Sequence, residues 1–170
     1  MPIITRRSVA AALAAGSALG IQHAAAASAA VAPKDISKDT DIACLYHCDF
    51  ADARRFSQML DNIRNHLEAY DYDPLALQIV IVAHAAGIRF FLSDLAGTPW
   101  AADPVDPDIM KRMSALGGFG VQGYLCKITF AKNNLSLDRA RPEPWLRMVP
   151  SGVATVGALQ AIGFGYLKIG

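Results

Sequence analysis

Hydrophobic and polar residues follow one another in blocks that predict strands alternating with helices. Residues 77–83 are apolar and β-branched almost throughout, which is typical of a strand buried on both faces of a parallel sheet. Residues 52–70 carry apolar side chains at steps of three and four, which indicates an amphipathic helix. The same reasoning predicts further strands at 42–46, 121–128, 145–149 and 164–169, and further helices at 85–95, 108–116 and 151–162.

This alternation of strands and helices predicts an α/β fold. Short βαβ units build a parallel sheet with helices on both faces, so we expect a three-layer α/β/α sandwich with a mainly parallel five-stranded sheet, flavodoxin-like in outline. Residues 97–107 contain three prolines and predict a loop, whereas residues 130–140 fit either a short helix or a loop. In such sheets the chemistry lies at the carboxyl ends of the strands.

The first thirty residues have the pattern of an export signal. Arg6 and Arg7 precede an uncharged run at 9–21, and small residues around Ala27-Ser28-Ala29 offer cleavage sites. Paired arginines favour the twin-arginine route to the periplasm, with an ordinary secretory signal as the alternative. The apolar run is shorter than the ~20 residues of a membrane span. We therefore expect a signal at 1–30, a loose lead-in at 31–40, one domain at 41–170, and no membrane insertion after cleavage.

Charge and cysteine content narrow the possible functions. The chain has a formal charge of +1, and residues 31–170 carry −1 once the two signal arginines are left out. Such a domain lacks the basic field that nucleic acid or anionic lipid would require. Three cysteines follow the signal, an odd number, so at least one is free, bound to a ligand or paired between chains.

Residues capable of chemistry occur where the predicted strands end. Because parallel strands place their carboxyl ends along one edge, we expect these residues to lie near one another. They are His47, Cys48, His84, Cys126, Ser151 and Gly152. Simpler roles remain open: the histidines as inert hydrogen-bonded residues, and Ser151 as a helix cap. Cys44, inside the first strand, is expected to be a small buried hydrophobe.

Several segments resemble, in order, the DsrE/DsrF-like family of sulfur-metabolism proteins, and the likeness spans nearly the whole predicted domain. The matching segments are Tyr46-His47, Asn62-Ile63-Arg64-Asn65-His66-Leu67, Ile79-Val80-Ile81-Val82-Ala83-His84, Gly120-Val121 to Leu125-Cys126, Val149-Pro150-Ser151-Gly152-Val153 and Gly163-Phe164-Gly165-Tyr166-Leu167-Lys168. The resemblance implies a parallel five-stranded sandwich, assembly into trimers or hexamers, and a sulfur-donor or acceptor protein as partner. It also implies that Cys126 carries sulfur as a persulfide.

Three functional hypotheses follow. In the first, Cys126 is the nucleophile, His47 or His84 lowers its pKa or moves a proton, and the helix start at Ser151 and Gly152 stabilises the anion. Cys48 then either resolves the persulfide or is a spectator, and no cofactor is needed. In the second, a copper or zinc ion is held by a set of four ligands, His47, Cys48, His84 and Cys126. In the third, the protein is a non-catalytic oligomeric partner.

Overall fold

The computed structural model describes residues 30–170, so the predicted export signal lies outside the described residues except for Ala30. The strands are β1 (Ile42–Cys48), β2 (Leu77–Ala83), β3 (Gln122–Cys126), β4 (Leu146–Val149) and β5 (Gly165–Leu167). The α-helices are α1 (Ala53–Glu68), α2 (Pro107–Ala115), α3 (Lys127–Lys132) and α4 (Gly152–Ala161). Short 3-10 helices occupy Pro33–Asp35, Ala85–Phe91, Leu116–Phe119 and Leu137–Arg139. Within residues 30–170, no helix is both long and apolar enough to cross a bilayer.

All five strands are parallel and form one sheet in the order β4-β3-β2-β1-β5, which confirms the predicted fold class. The pairing of β1 with β2 runs from Ile42 opposite Leu77 to Cys48 opposite Ala83. The strand order differs from that of flavodoxin. In flavodoxin β2 lies at an edge of the sheet, whereas here β2 lies at the centre. The carboxyl ends of β1, β2 and β3 therefore lie side by side.

The two faces of the sheet bury separate cores. Tyr46 and Cys48 pack into the core shared with α1 and the Ala85–Phe91 turn, whereas Leu45 belongs to the opposite core beneath α4. Side chains alternate along a strand, so His47 lies on the α4 face and Cys48 on the α1 face. Two neighbouring residues of one strand therefore end up on opposite sides of the sheet.

Helix α1 forms as the sequence pattern predicts. The carboxylate of Asp52 accepts a hydrogen bond from the Arg55 N–H at 2.7 Å and caps the first turn. One face of the helix is buried against the sheet. The helix ends before Asp71 and Tyr72, which both adopt positive φ and turn the chain toward β2.

The prediction of an α-helix at 85–95 is wrong. The chain instead forms a 3-10 helix at Ala85–Phe91, in which the five residues from Gly87 to Phe91 are all buried. A Cβ on Gly87 would lie 2.1 Å from the Cys48 carbonyl oxygen, so this segment runs directly against the end of β1. Because these five consecutive residues are all buried, the segment has no polar face to turn toward solvent, and an amphipathic helix cannot form there.

The boundary of the third strand also differs from the prediction of 121–128. β3 ends at Cys126, and α3 begins at the next residue. The uncertain stretch at 130–140 contains the end of α3 and the 3-10 helix at Leu137–Arg139. Cys126 therefore lies at a strand-to-helix junction, where backbone N–H groups of the following turn are free to donate.

We expect the core beneath α4 to be essential for stability. Leu45 is fully buried there, so Leu45→Ala should lower the free energy of unfolding by about 2–5 kcal/mol. Leu75 is 85% exposed, and Leu75→Ala should change it by less than about 0.5 kcal/mol. Urea denaturation of both variants measures the difference, and equal losses would contradict the assignment of this core.

Candidate functional site

The carboxyl ends of β2 and β3 meet the first turn of α4. His84 follows β2, and its backbone N–H donates to the Cys48 carbonyl at 3.1 Å, which extends the sheet by one residue. A Cβ on Gly152 would lie 2.8 Å from Cβ of His84 and 3.2 Å from Cβ of Cys126. The structure thus brings three of the sequence-predicted residues, His84, Cys126 and Gly152, into direct proximity.

Hydrogen-bond donors surround the sulfur of Cys126. Hydrogen bonding from the backbone N–H of Gly152, from the hydroxyl and N–H of Thr129 and from the N–H of Ile128 lowers the pKa of this thiol. Burial alone would raise the pKa of this thiol, but the donors outweigh burial, and the pKa of Cys126 falls below its ordinary value. The lowered pKa increases the thiolate fraction of Cys126 at a given pH.

The two predicted histidines contact each other beside this thiol. Nε2 of His47 lies 2.6 Å from Nε2 of His84, and Nδ1 of His47 lies 2.8 Å from the Tyr166 hydroxyl. Burial lowers the pKa of both histidines; for His47 the charges of His84 and Arg55 add to this effect, while Asp49 opposes it at both rings. Both imidazoles are thus favoured in the neutral form, and a short hydrogen bond joins their Nε2 atoms.

Asp49 completes a cluster that the sequence reasoning missed. One ligand atom from each of His47, Asp49 and His84 lies within 4.8 Å of the others. The spacing His47-x-Asp49 carried the signal, because residues two apart share a face wherever the strand pairing continues. The proposed four-ligand metal set is not what the structure assembles, since this cluster contains Asp49 and neither Cys48 nor Cys126.

The structure does not bring Cys48 to the site. Its side chain is completely buried on the α1 face, where Sγ lies 4.0 Å from the Gly87 carbonyl oxygen. Burial, the largest cause, and the neighbouring Asp49 raise the pKa of this thiol far above its ordinary range. Cys44 is half-buried, and burial raises its pKa as well. The three cysteines are all free thiols.

Ser151 is the N-cap of α4. Its hydroxyl accepts a hydrogen bond from the Ala154 N–H at 3.3 Å, and its carbonyl accepts one from the Thr155 hydroxyl at 2.8 Å. These bonds fix the direction of the first turn, which in turn aims the Gly152 N–H at Cys126. Ser151 therefore positions the anion-binding turn, while Gly152 makes the contact.

An open cavity of about 320 Å³ leads to the thiol. Its lining combines polar groups with an apolar rim, and Lys132 contributes a positive charge. The lining residues are His84, Ala85, Cys126, Ile128, Thr129, Lys132, Asn133, Ser151 and Val153. Thr129 is held in place by its second contact, since its hydroxyl accepts a hydrogen bond from the Ala85 N–H at 3.0 Å. A small substrate, or the end of a partner's side chain, fits this space.

Comparison with known proteins supports the fold and leaves the chemistry open. No model of a known protein family matches the chain, and no curated protein does. A solved structure of a protein of unknown function from Methanobacterium thermoautotrophicum is similar, with a TM-score of 0.60 and 22% identity. The match covers 75% of this chain and 99% of that one. It establishes the α/β fold, while the resemblance to the DsrE/DsrF-like family stays a prediction.

We expect Gly152→Ala to lower the reactivity of Cys126. The added methyl group would press against His84 and Cys126 and shift the N–H that donates to the sulfur. Weakening one hydrogen bond to a charged group should slow alkylation of Cys126 near neutral pH by about tenfold. Iodoacetamide labelling followed by peptide mass spectrometry gives the rate for Cys126 and Cys44 separately.

Gly157→Ala on the same helix is the matched control. A Cβ on Gly157 meets no atom within 4 Å, so this change should leave the alkylation rate unaltered and stabilise the helix by about 0.5–1 kcal/mol. If folded Gly152→Ala protein were alkylated as fast as the wild type, the first turn of α4 would not activate the thiol.

Proposed function

We propose that this protein carries sulfur as a persulfide on Cys126. The observation that supports the proposal is the position of Cys126 at the junction of β3 and α3, against the first turn of α4, where hydrogen bonding from Gly152, Thr129 and Ile128 lowers the pKa of its thiol. Donors of this kind stabilise a thiolate, and a thiolate is the form of cysteine that attacks sulfur. The resemblance to a sulfur-carrying family adds independent support for the same residue.

The proposed reaction needs no oxidant or reductant. The Cys126 thiolate attacks the outer sulfur of a donor persulfide, R–S–SH, and a new S–S bond forms as the donor's S–S bond breaks. The electron pair of the broken bond leaves with the donor's inner sulfur as a thiolate, R–S⁻. The proton remains on the transferred sulfur, so the products are R–S⁻ and the Cys126 persulfide.

His84 accepts a proton when the loaded protein passes its sulfur to an acceptor. It lines the cavity beside Cys126, and its imidazole is favoured in the neutral form that accepts a proton. In the reverse of the loading step, neutral His84 takes the proton of an acceptor thiol R′–SH, and the resulting thiolate attacks the outer sulfur of the Cys126 persulfide. The S–S bond to Cys126 breaks, and the products are R′–S–SH and the Cys126 thiolate. His47 supports His84 through the Nε2 to Nε2 contact and is itself fixed by Tyr166.

The proposal includes a periplasmic location and an oligomeric state. The twin-arginine pattern supports export of the folded protein, and the resemblance implies trimers or hexamers with a sulfur-donor or acceptor protein. Helix α4 supports assembly because it carries no charged residue and exposes Val153, which is 68% accessible, together with Ile162 just beyond its end. Val153 also lines the cavity, so a bound partner would lie against the thiol.

Sulfur loading is measured by intact mass after incubation with glutathione persulfide. Wild-type protein and Cys44→Ser should each gain the mass of one sulfur atom, and dithiothreitol should remove it. Cys126→Ser should gain none, because the remaining thiols have raised pKa values and lie outside the donor cluster. Peptide mapping should place the added sulfur on Cys126.

Thermal unfolding of Cys126→Ser provides the folding control. A folded Cys126→Ser protein that still acquires the sulfur would contradict the proposal. A wild-type protein that never loads, from this donor or from inorganic polysulfide, would instead favour the non-catalytic oligomeric partner.

A further inference from the structure

Three potential ligands from two adjacent strands meet at one edge of the sheet. Cys48 pairs with Ala83 at the end of β1 and β2, and the next hydrogen bond places His84 level with Asp49. His47 lies two residues before Asp49 on the same strand. The backbone pairing itself therefore directs two imidazoles and a carboxylate toward one point.

The separations of these groups suit a single metal ion. Ligand atoms bound to a tetrahedral zinc ion at ~2.1 Å lie about 3.4 Å apart. The three candidate atoms lie within 4.8 Å of one another, and the two Nε2 atoms are 2.6 Å apart. Separating the rings by less than about 1 Å and turning the exposed Asp49 carboxylate inward would produce the coordination geometry.

The second nitrogen of His47 already has the partner that a metal-bound histidine requires. Histidine ligands almost always donate their other N–H to an oxygen, which fixes the tautomer and directs the lone pair to the metal. Nδ1 of His47 lies 2.8 Å from the Tyr166 hydroxyl, on the far side of the ring from Nε2.

The ligand set selects the kind of ion. Imidazole nitrogen suits zinc and copper, whereas magnesium and calcium prefer oxygen ligands alone. We propose that His47, Asp49 and His84 bind one Zn²⁺ or Cu²⁺ ion, with the fourth position open to solvent. A three-ligand site of this form is typical of zinc that exchanges its fourth ligand with water or substrate.

The neighbouring groups are compatible with a bound cation. The positive charge of Arg55 acts on His47, but its guanidinium donates to the Ile169 carbonyl and lies over the Phe50 ring. Asp49 supplies the compensating negative charge. Cys126 lies across Gly152 from His84 and outside the three-residue cluster. The metal site shares His84 with the proposed sulfur chemistry, but its three ligands do not include Cys126.

Metal binding is tested on full-length protein without a histidine tag, stripped with a chelator and dialysed. Isothermal titration with Zn²⁺, and electron paramagnetic resonance with Cu²⁺, should each show one ion per chain, with nitrogen couplings in the copper spectrum. Each of the three ligand variants, His47→Ala, His84→Ala and Asp49→Asn, should weaken binding at least about tenfold. Tyr166→Phe, which removes the hydroxyl beside Nδ1 of His47, should weaken it about tenfold. Mg²⁺ should not bind.

The other two histidines of the chain provide matched controls. His23→Ala and His66→Ala should bind both ions as the wild type does. Retained binding in Cys126→Ser would support the three-residue ligand set, whereas its loss would overturn it. A wild-type protein whose melting temperature does not rise with Zn²⁺ or Cu²⁺, and which shows no titration, would overturn the proposal without reference to any variant.

Discussion

The site depends on the close approach of α4 to the carboxyl ends of β2 and β3. Gly152 makes this approach possible, because any larger residue would place a carbon atom 2.8 Å from Cβ of His84. The same contact brings a free backbone N–H of the first turn to the sulfur of Cys126. A helix start that is too far away would leave the thiol buried without donors, and burial alone raises a cysteine pKa.

The alternation of side chains along the strands decides which reactive residues meet. His47 and His84 share the α4 face with Cys126, whereas Cys48 points into the α1 core. Adjacent residues of one strand thus have unrelated environments: His47 is half-exposed and polar, and Cys48 is fully buried. A proposed metal ligand and a fully buried thiol are therefore neighbours in sequence.

The sequence was sufficient to predict the parallel α/β sandwich and the edge of the sheet at which His84, Cys126 and Gly152 meet. Long apolar strands and the amphipathic α1 have strong periodic signals, and parallel strands share one carboxyl edge. The segment 85–91 was mispredicted because its conformation is set by contact with the end of β1. The period of two along a strand places Cys48 on the face opposite His47, which separates it from the other predicted site residues.

Other contributors could not be predicted from local pattern. Thr129 reaches the thiol from the turn after β3, and Tyr166 reaches His47 from β5 at the edge of the sheet. Both contacts join residues whose positions are fixed only by the packed structure. Asp49 was visible as a neighbour of His47, but its role emerges from the pairing that places it level with His84.

Gly152 lies between two groups of side chains. On one side is the Cys126 thiol, whose pKa is lowered, and on the other is a pair of imidazoles beside a carboxylate. The state of the thiol is tested most directly by ¹³C nuclear magnetic resonance of protein labelled at the cysteine β-carbons, followed as a function of pH. If the donors hold the sulfur as an anion, the Cys126 resonance will titrate at a lower pH than the cysteines of the urea-unfolded chain. A Cys126 resonance that titrates at or above the pH of the unfolded cysteines would contradict this.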